Sequence, residues 1–512
     1  MMSRLPFWPI RRGAPAIAPM MVLIGSLVAC PMATVSAQVM LSPSLQADTD
    51  AKADEPQEKA PQTIVLHPCQ QPDPLLRYRL WPSPEDRQPR LATPIVSRAA
   101  ILSVQVGENQ KVEFSKDYGE WLDMPVDQLP VDAVRKVLIP YEKPLGELRR
   151  IENMMDVSYD LGMDRMTAGE IFQTWLPEFQ EMRSLARALA LRIRLATAEK
   201  RWDDAIDDLR LGFRLAEVGS RSTDLLIGRL VGIAITGVMI NEIEQIQQQP
   251  DAPSLYWALS MIPVDRISNI SQSLEFESGT IAHVGMLSEL RRLPKDPIGE
   301  PAAIAWLQSI GEQFRLVSES DVPAESTALL SGLYAATMIE PARMALSNSS
   351  LWRDRMEGLS DAEIVLRAID LEMRRVRDRW LVWSTLPDVD RQEYTAERNA
   401  AFELDEADLS VGQVLARLLL PAADAVFRAR TRCKQDHSLA MTFAALRLHA
   451  GQTGQLPEKL SQLRPVPARR DDFTGEHFSY KRTSPNQATL TRAARSPNDP
   501  DTVLEIKLEA SR

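Results

Sequence analysis

The side chains in this chain that could hold protons, metals or electron pairs fall into three groups. The densest is acidic: Asp203, Asp204, Asp207 and Asp208 stand close together. Paired carboxylates cleave glycosidic bonds when a sugar cleft holds them at a defined separation, yet at the start of a helix the same residues cap its positive end and face water. The second group is the histidines, His67, His283, His437, His449 and His477. No His-Glu-x-x-His pattern joins them. Cys433 and His437 lie one helical turn apart, but His449 is rotated about 120° from His437 on a straight helix, so no metal set is expected. The third is Asp471 and Asp472 with the carbonyls near Thr474, which offer oxygen of the kind calcium takes without a full ligand series. A turn in which Asp and Gly475 satisfy the backbone is the preferred account of them.

There is no Gly-x-Ser-x-Gly elbow, no Gly-rich phosphate loop, and no serine or cysteine nucleophile beside a base. No catalytic residue, cofactor or metal is therefore assigned. Four aromatics are groove candidates: Tyr256 and Trp257, shortly after the third long helix, and Trp380 with Trp383. Each has a core reading beside it, since large aromatics supply much of the buried area in helical packing.

Three cysteines occur, Cys30, Cys69 and Cys433, and their meaning depends on the N-terminus. Arg4, Arg11 and Arg12 precede an apolar run from Ala14 to Ala29, shorter than the roughly 20 residues of a membrane span and matching a signal peptide. Leu27-Val28-Ala29-Cys30 resembles a lipobox, which makes Cys30 a lipidation candidate; Val35-Ser36-Ala37 is the competing cleavage site, favoured because Pro31 follows Cys30. Either way an oxidising compartment leaves Cys69 and Cys433 as one candidate disulfide. Both remaining free, with Cys433 a small buried apolar residue, is the alternative.

These residues must be positioned by a chain of 512 residues that is 44% hydrophobic and 25% charged, enough apolar material for a substantial core. Only 22 Gly against 36 Pro favours long helices ended by prolines over a Gly-punctuated all-β chain. A net charge of -11 disfavours broad nucleic-acid binding.

The chain divides into a signal (1–37), a polar, aromatic-free tether (38–63), a proline-rich segment (64–143), a helical domain (144–432) and a C-terminal helix with a small antiparallel sheet (433–512). Within 64–143, Ile101 to Val106 reads as either helix end or strand. Phe179, Met182, Leu185, Leu189, Ile193 and Ala196 keep a helical period. Lys200-Arg201-Trp202 breaks it, and Ala205, Leu209, Phe213 and Ala216 continue on a second helix, giving a hairpin. A third helix, about Asp224 to Gln248, carries Gly228-x-x-x-Gly232, read as close packing rather than a membrane span because Arg229 interrupts it. More helices are expected at about Ile267–Leu290, Ile304–Val317, Ala328–Ser347 and Ala362–Ser384, and two between Val411 and Ala450, the second opened by Pro421. In the Ala362–Ser384 helix, Val365, Ile369, Met373, Val376, Trp380 and Trp383 form a core stripe. Ser479–Lys481, Ala488–Thr491 and Thr502–Leu508 read as strands.

Two resemblances accompany this. Arg201-Trp202-Asp203-Asp204-Ala205 through Leu209 and Gly212 resembles half of a tetratricopeptide repeat, with Ile193 where a small residue is expected and no second copy. Ala444-Ala445-Leu446-Arg447-Leu448-His449-Ala450, Gly454-Gln455-Leu456-Pro457, Leu460, Pro465-Val466-Pro467, Asp472-Phe473-Thr474-Gly475 and Phe478-Ser479-Tyr480 stand in one order. That order resembles the C-terminal module of uncharacterised secreted helical proteins typical of planctomycete bacteria. It is also similar to the globular part of major pseudopilins, a likeness that implies assembly. The hairpin and Pro250 to Leu259 resemble the same uncharacterised family, which carries no assigned reaction.

The expected fold is mainly α: hairpins stacked as a bundle or short solenoid, with a small C-terminal α+β module. The expected role is an exported, non-enzymatic scaffold or interaction module for an envelope or periplasmic protein. Nucleic acid is not an expected partner, and the membrane is reached only through a lipid anchor at Cys30. An envelope hydrolase or carbohydrate-processing enzyme built from distant acids, and a pseudopilin-related structural component, are the alternatives.

Overall fold

The fold is that of a computed structural model, which describes residues 62–110, 118–158, 162, 177–280, 293–317, 332–333, 335–394, 397, 422–493 and 501–509. The signal, Cys30, the tether up to residue 61, His283 and Pro421 lie outside the described residues. The chain is mainly α-helical with a small sheet at its C-terminal end.

Strand β1 (Gln62–Leu66) opens the described chain, followed by β2 (Gln88–Leu91) and α1 (Thr93–Gln110). The ambiguous Ile101–Val106 stretch is thus helix interior. Short helices α2 (Gly119–Asp123), α3 (Val131–Leu138) and α4 (Glu142–Leu148) lead to β3 (Met154–Asp156), which pairs in parallel with β2.

The centre is α5 (Pro177–Ala198), α6 (Trp202–Arg221) and α7 (Leu226–Gln247). Every member of the Phe179-to-Ala196 stripe is buried, and so are Ala186, Ala188, Ala190 and Leu191, because α5 is covered on several sides. The helix stops in a Schellman geometry: Arg201 N–H bonds the Ala196 carbonyl at 2.8 Å and Lys200 N–H bonds Thr197 at 3.0 Å, with Lys200 itself at φ 57°. That one left-handed residue turns the chain back into α6. Gly228 and Gly232 then let α7 lie on α6. A Cβ on Gly232 would stand 2.5 Å from Ser220 Cβ and 2.6 Å from the Ala216 carbonyl oxygen, far inside ordinary contact. Long and apolar enough to cross a membrane by composition, α7 has 67% of its most apolar window buried within the protein. Its Arg229 is buried too, donating to Ser220 and Ser273 hydroxyls.

Next come α8 (Tyr256–Ser260), α9 (Val264–Ile267) and α10 (Ser271–Thr280). A second hydrophobic cluster then gathers α11 (Glu300–Val317), α12 (Ile339–Ser347) and α13 (Asp361–Ser384), with Ala303, Leu346, Trp352, Ile364, Val365 and Ile369 at its heart. Ser360 and Glu363 cap α13 reciprocally, as a capping box does. α10 packs against α13, and Ser271 Oγ bonds the Ser384 carbonyl at 2.8 Å. Helix α14 (Asp388–Glu393) is followed, among the described residues, by the long α15 (Ala422–Thr453).

The boundary drawn between residues 432 and 433 therefore falls inside α15, whose residues from Val426 onward already belong to the main core. The sheet also corrects the expectation. Besides antiparallel β4 (Ser479–Ser484), β5 (Gln487–Arg492) and β6 (Thr502–Leu508), it contains β1, paired in parallel with β6 through Ile64 and Ile506. Gln62 and Thr63, placed in the tether by composition, are strand residues. Ile64, Leu66, Ala488, Leu490, Leu504 and Ile506 present one apolar face to the core, the alternation a half-covered sheet needs. Because α5 meets α1, α3, α6 and α7, and α7 reaches α15, these six helices close around a common core, whereas solenoid units touch only their neighbours.

Candidate binding cleft

Three pieces of chain converge beside the first half of α15. Pro263 directly precedes α9 and places Asp265 in its first turn. On α15, Lys434, His437 and Met441 follow at spacings of three and four, so they share one face. The third piece is the loop at Arg469 to Asp472. With Ser260, Ile262 and Val264 these residues line a recess of about 180 Å³, room for one side chain or a chain end rather than a drug-sized ligand of at least about 300 Å³.

The walls are fixed by bonds behind them. Asp471 Oδ1 accepts Phe473 N–H at 2.8 Å, an Asx turn, while its Oδ2 accepts from Gln435 Nε2 at 3.0 Å. Asp472 Oδ2 accepts from Ser438 Oγ at 3.0 Å. Gln435 and Ser438 thus clamp the loop to α15, and Gly475, at φ +73°, closes its far side. The aspartates weighed as calcium ligands are bonded as turn and clamp residues. On the opposite wall, Tyr256 Oη donates to the Pro467 carbonyl at 3.0 Å, and Tyr256 meets Trp257 edge to face with ring centroids 5.2 Å apart. These two groove candidates stand behind the wall and do not line the recess. Trp383 is half-buried on α13, and the Trp380 side chain lies outside the described ones.

Charge in the cleft is balanced. Lys434 Nζ sits 2.9 Å from Asp265 and 3.4 Å from the buried Asp388, which also pairs with Arg391 and, at 3.6 Å, with Arg430. Arg469 and Asp472 add one charge of each sign at the rim. His437 is buried and bonds the Leu259 carbonyl through Nε2 at 3.0 Å. Burial pushes its imidazole below the ordinary range, against the pull of that carbonyl, and Arg469 adds to the depression. Ser260 Oγ donates to the Trp257 carbonyl at 2.8 Å. Hydroxyl and imidazole are therefore each committed to a backbone carbonyl and are not arranged as nucleophile and base.

The other chemical candidates are dispersed. Asp208 is buried and bridges Arg192 at 2.6 Å and Arg149 at 3.0 Å; Asp204 pairs with Arg201, Asp207 with Arg210 at 3.1 Å, and Asp203 faces solvent. His67 is buried near β1, and His449 accepts Arg464 N–H at 3.4 Å. Among the described residues no group of three or more His, Cys, Asp or Glu side chains is placed to hold a metal.

Cys69 and Cys433 are free thiols, the second of the two readings open from the sequence. Cys69 N–H donates to the Arg447 carbonyl at 3.2 Å, and its own carbonyl lies against Gly451. Arg447 is fourteen residues beyond Cys433 on α15, about 21 Å along the axis at 1.5 Å per residue, whereas bridged Cα atoms lie within about 7 Å. Besides the pairing of β1 with β6, Arg447 ties the N-terminal segment down. Fully buried, it donates Nε to the His67 carbonyl at 2.9 Å and Nη2 to Ala252 at 2.7 Å.

Sequence reading missed Asp265, Lys434, Arg469 and Ser260. The three- and four-residue spacing of Lys434, His437 and Met441 is the one signal that could have found a shared face. Comparison with known proteins returned no matching family model, no matching curated protein and no matching solved structure.

Proposed function

We propose that the chain is an exported, non-enzymatic helical scaffold that receives a segment of another envelope protein in the cleft at Lys434. One observation carries this reading: the recess sets Ile262, Pro263, Val264 and Met441 among polar side chains of both charge signs, while its titratable side chains are held by the fold rather than aimed at a reacting atom. Apolar contact with a few fixed polar groups orients a bound segment and sets its specificity. Export rests on the N-terminal basic and apolar pattern, with cleavage after Ala37 or lipidation at Cys30 as its two forms. The acidic cluster of α6 supports the hydrolase alternative poorly, since Asp204, Asp207 and Asp208 each face an arginine.

A photo-crosslinking residue at Ser260, with a control at Asp203 on the exposed start of α6, tests the proposal in envelope extracts. The expected result is one adduct at Ser260, none at the control, and loss of the adduct in Lys434→Glu. Equal labelling at both positions, or turnover of envelope polysaccharide by the purified chain without any adduct, would overturn it.

A further inference from the structure

A second polar cluster lies on the other side of α9. Its centre is Glu217 of α6, which has no solvent exposure. Three arginines share this carboxylate: Arg214, one turn earlier; Arg221, one turn later, with Nη1 2.8 Å from Oε1; and Arg266 of α9, with Nη2 2.6 Å from the same oxygen. Arg214 forms the floor. It is fully buried, lies over the Trp81 ring with 5.2 Å to the centroid, donates to the Met154 carbonyl, and has an Nε with no partner among the described residues. Arg221 and Arg266 have 31% and 43% of their side chains exposed, so the cluster opens to water.

Arg87, exposed just before β2, adds a fourth positive charge whose field reaches Arg214 and Arg266, while its Nε and Nη2 each donate to the Pro82 carbonyl at 3.4 Å. Burial, then the like charges of Arg266, Arg221 and Arg87, push Arg214 down to about 10, which still leaves it charged at neutral pH. Arg229 of α7 adds a further positive field towards Arg221, opposed there by Asp224. Among the described residues, the carboxylates set against the four guanidinium groups are Glu217 and, beside Arg221, Asp156, whose Oδ1 already accepts from Ser158. Two positive charges are left over among these described groups. Guanidinium forks match the geometry of tetrahedral oxyanions and bind them through paired charge-assisted hydrogen bonds.

We propose that Arg87, Arg214, Arg221 and Arg266 form a binding site for a doubly charged oxyanion of the phosphate type, free or as the terminal phosphate of a lipid headgroup. The site is separate from the cleft: Asp265 and Arg266 are adjacent on α9, but Asp265 faces Lys434 and Arg266 faces Glu217.

Titration calorimetry of the full chain with inorganic phosphate, at fixed ionic strength and with chloride and acetate as controls, tests it. One saturable phosphate site is expected, weakened at least tenfold in Arg266→Ala and again in Arg221→Ala, with Lys434→Glu unchanged. Flotation with phosphatidic acid vesicles against phosphatidylcholine vesicles separates the sources. Binding that is confined to phosphatidic acid and lost in Arg266→Ala assigns the lipid headgroup; phosphate binding without flotation assigns the free ion. Binding that survives both arginine substitutions, equal heats from chloride, or neither phosphate binding nor flotation would each overturn the proposal.

Discussion

Arg194 with Glu242, and Glu217 with its arginines, are two buried ionic sites in the same three-helix centre, built to different ratios. Arg194 of α5 and Glu242 of α7 have side chains 1% and 2% exposed and form a bidentate pair, Nε to Oε2 at 3.0 Å and Nη2 to Oε1 at 2.8 Å. The remaining arginine nitrogen donates to the carbonyls of Trp121 and Met124. One charge meets one charge, the donors are used, and nothing opens to water. At Glu217 the carboxylate is as deeply buried, yet three arginines share it and two of them reach solvent. The first site is a fastener between helices. The second keeps positive charge unspent, and that excess at an open edge is what a ligand can use.

The largest effect expected from this contrast is at the closed pair. Glu242→Leu leaves Arg194 buried without its carboxylate and should lower unfolding free energy by about 3–5 kcal/mol, measured by urea denaturation. Adding Arg194→Met should recover most of the loss, because an apolar pair of similar volume removes the stranded charge. Recovery failing would mean that the carbonyl bonds to Trp121 and Met124, not the ion pair, hold α5.

Glu244 sharpens the comparison. It lies two residues beyond Glu242 and so points to a different side of α7, where the nearby cation, Arg492, is engaged by Asp436 at 2.5 Å. Glu244 is half-buried, and loss of solvent around its carboxyl, then the Asp436 charge, push it up to about 8, with Arg492 opposing. A carboxyl raised in the folded state holds a proton that the unfolded chain has released. Its contribution is complete below the ordinary value near 4.5 and is lost as pH rises through about 8. Glu244→Gln should therefore flatten the fall in stability across that window in thermal melts at stepped pH; an unchanged slope would refute the assignment.

Smaller still is the effect at the open site. Arg266→Ala should alter stability by no more than about 1 kcal/mol, since Arg214 and Arg221 still face Glu217 and the side chain is partly solvated. A loss near that of Glu242→Leu would make the two sites equivalent fasteners. The smallest effect belongs to the thiols: reductant should leave the melting midpoint unchanged, because Arg447, not a disulfide, joins the N-terminal segment to α15.

Legibility differed between elements for physical reasons. The hairpin, α13 and the three C-terminal strands were readable because helix and strand periods are local, set by neighbours two to four residues away. Strand β1 was not: its alternation is short, and its partner β6 lies at the far end of the chain. The cleft was not visible: of its lining only His437 was singled out, on a face shared with Cys433, while Asp265 and Arg469 carry no local mark separating them from any surface charge.

By itself, then, the sequence determined a mainly helical chain, the turn at Lys200, the close approach at Gly228 and Gly232, and a C-terminal sheet. Tertiary structure alone decided which arginine meets which carboxylate, that Cys69 lands beside Arg447 rather than Cys433, and that Glu217 serves three guanidinium groups. A period constrains the direction in which side chains point, but charge pairing depends on distances between segments that only the packed core brings together.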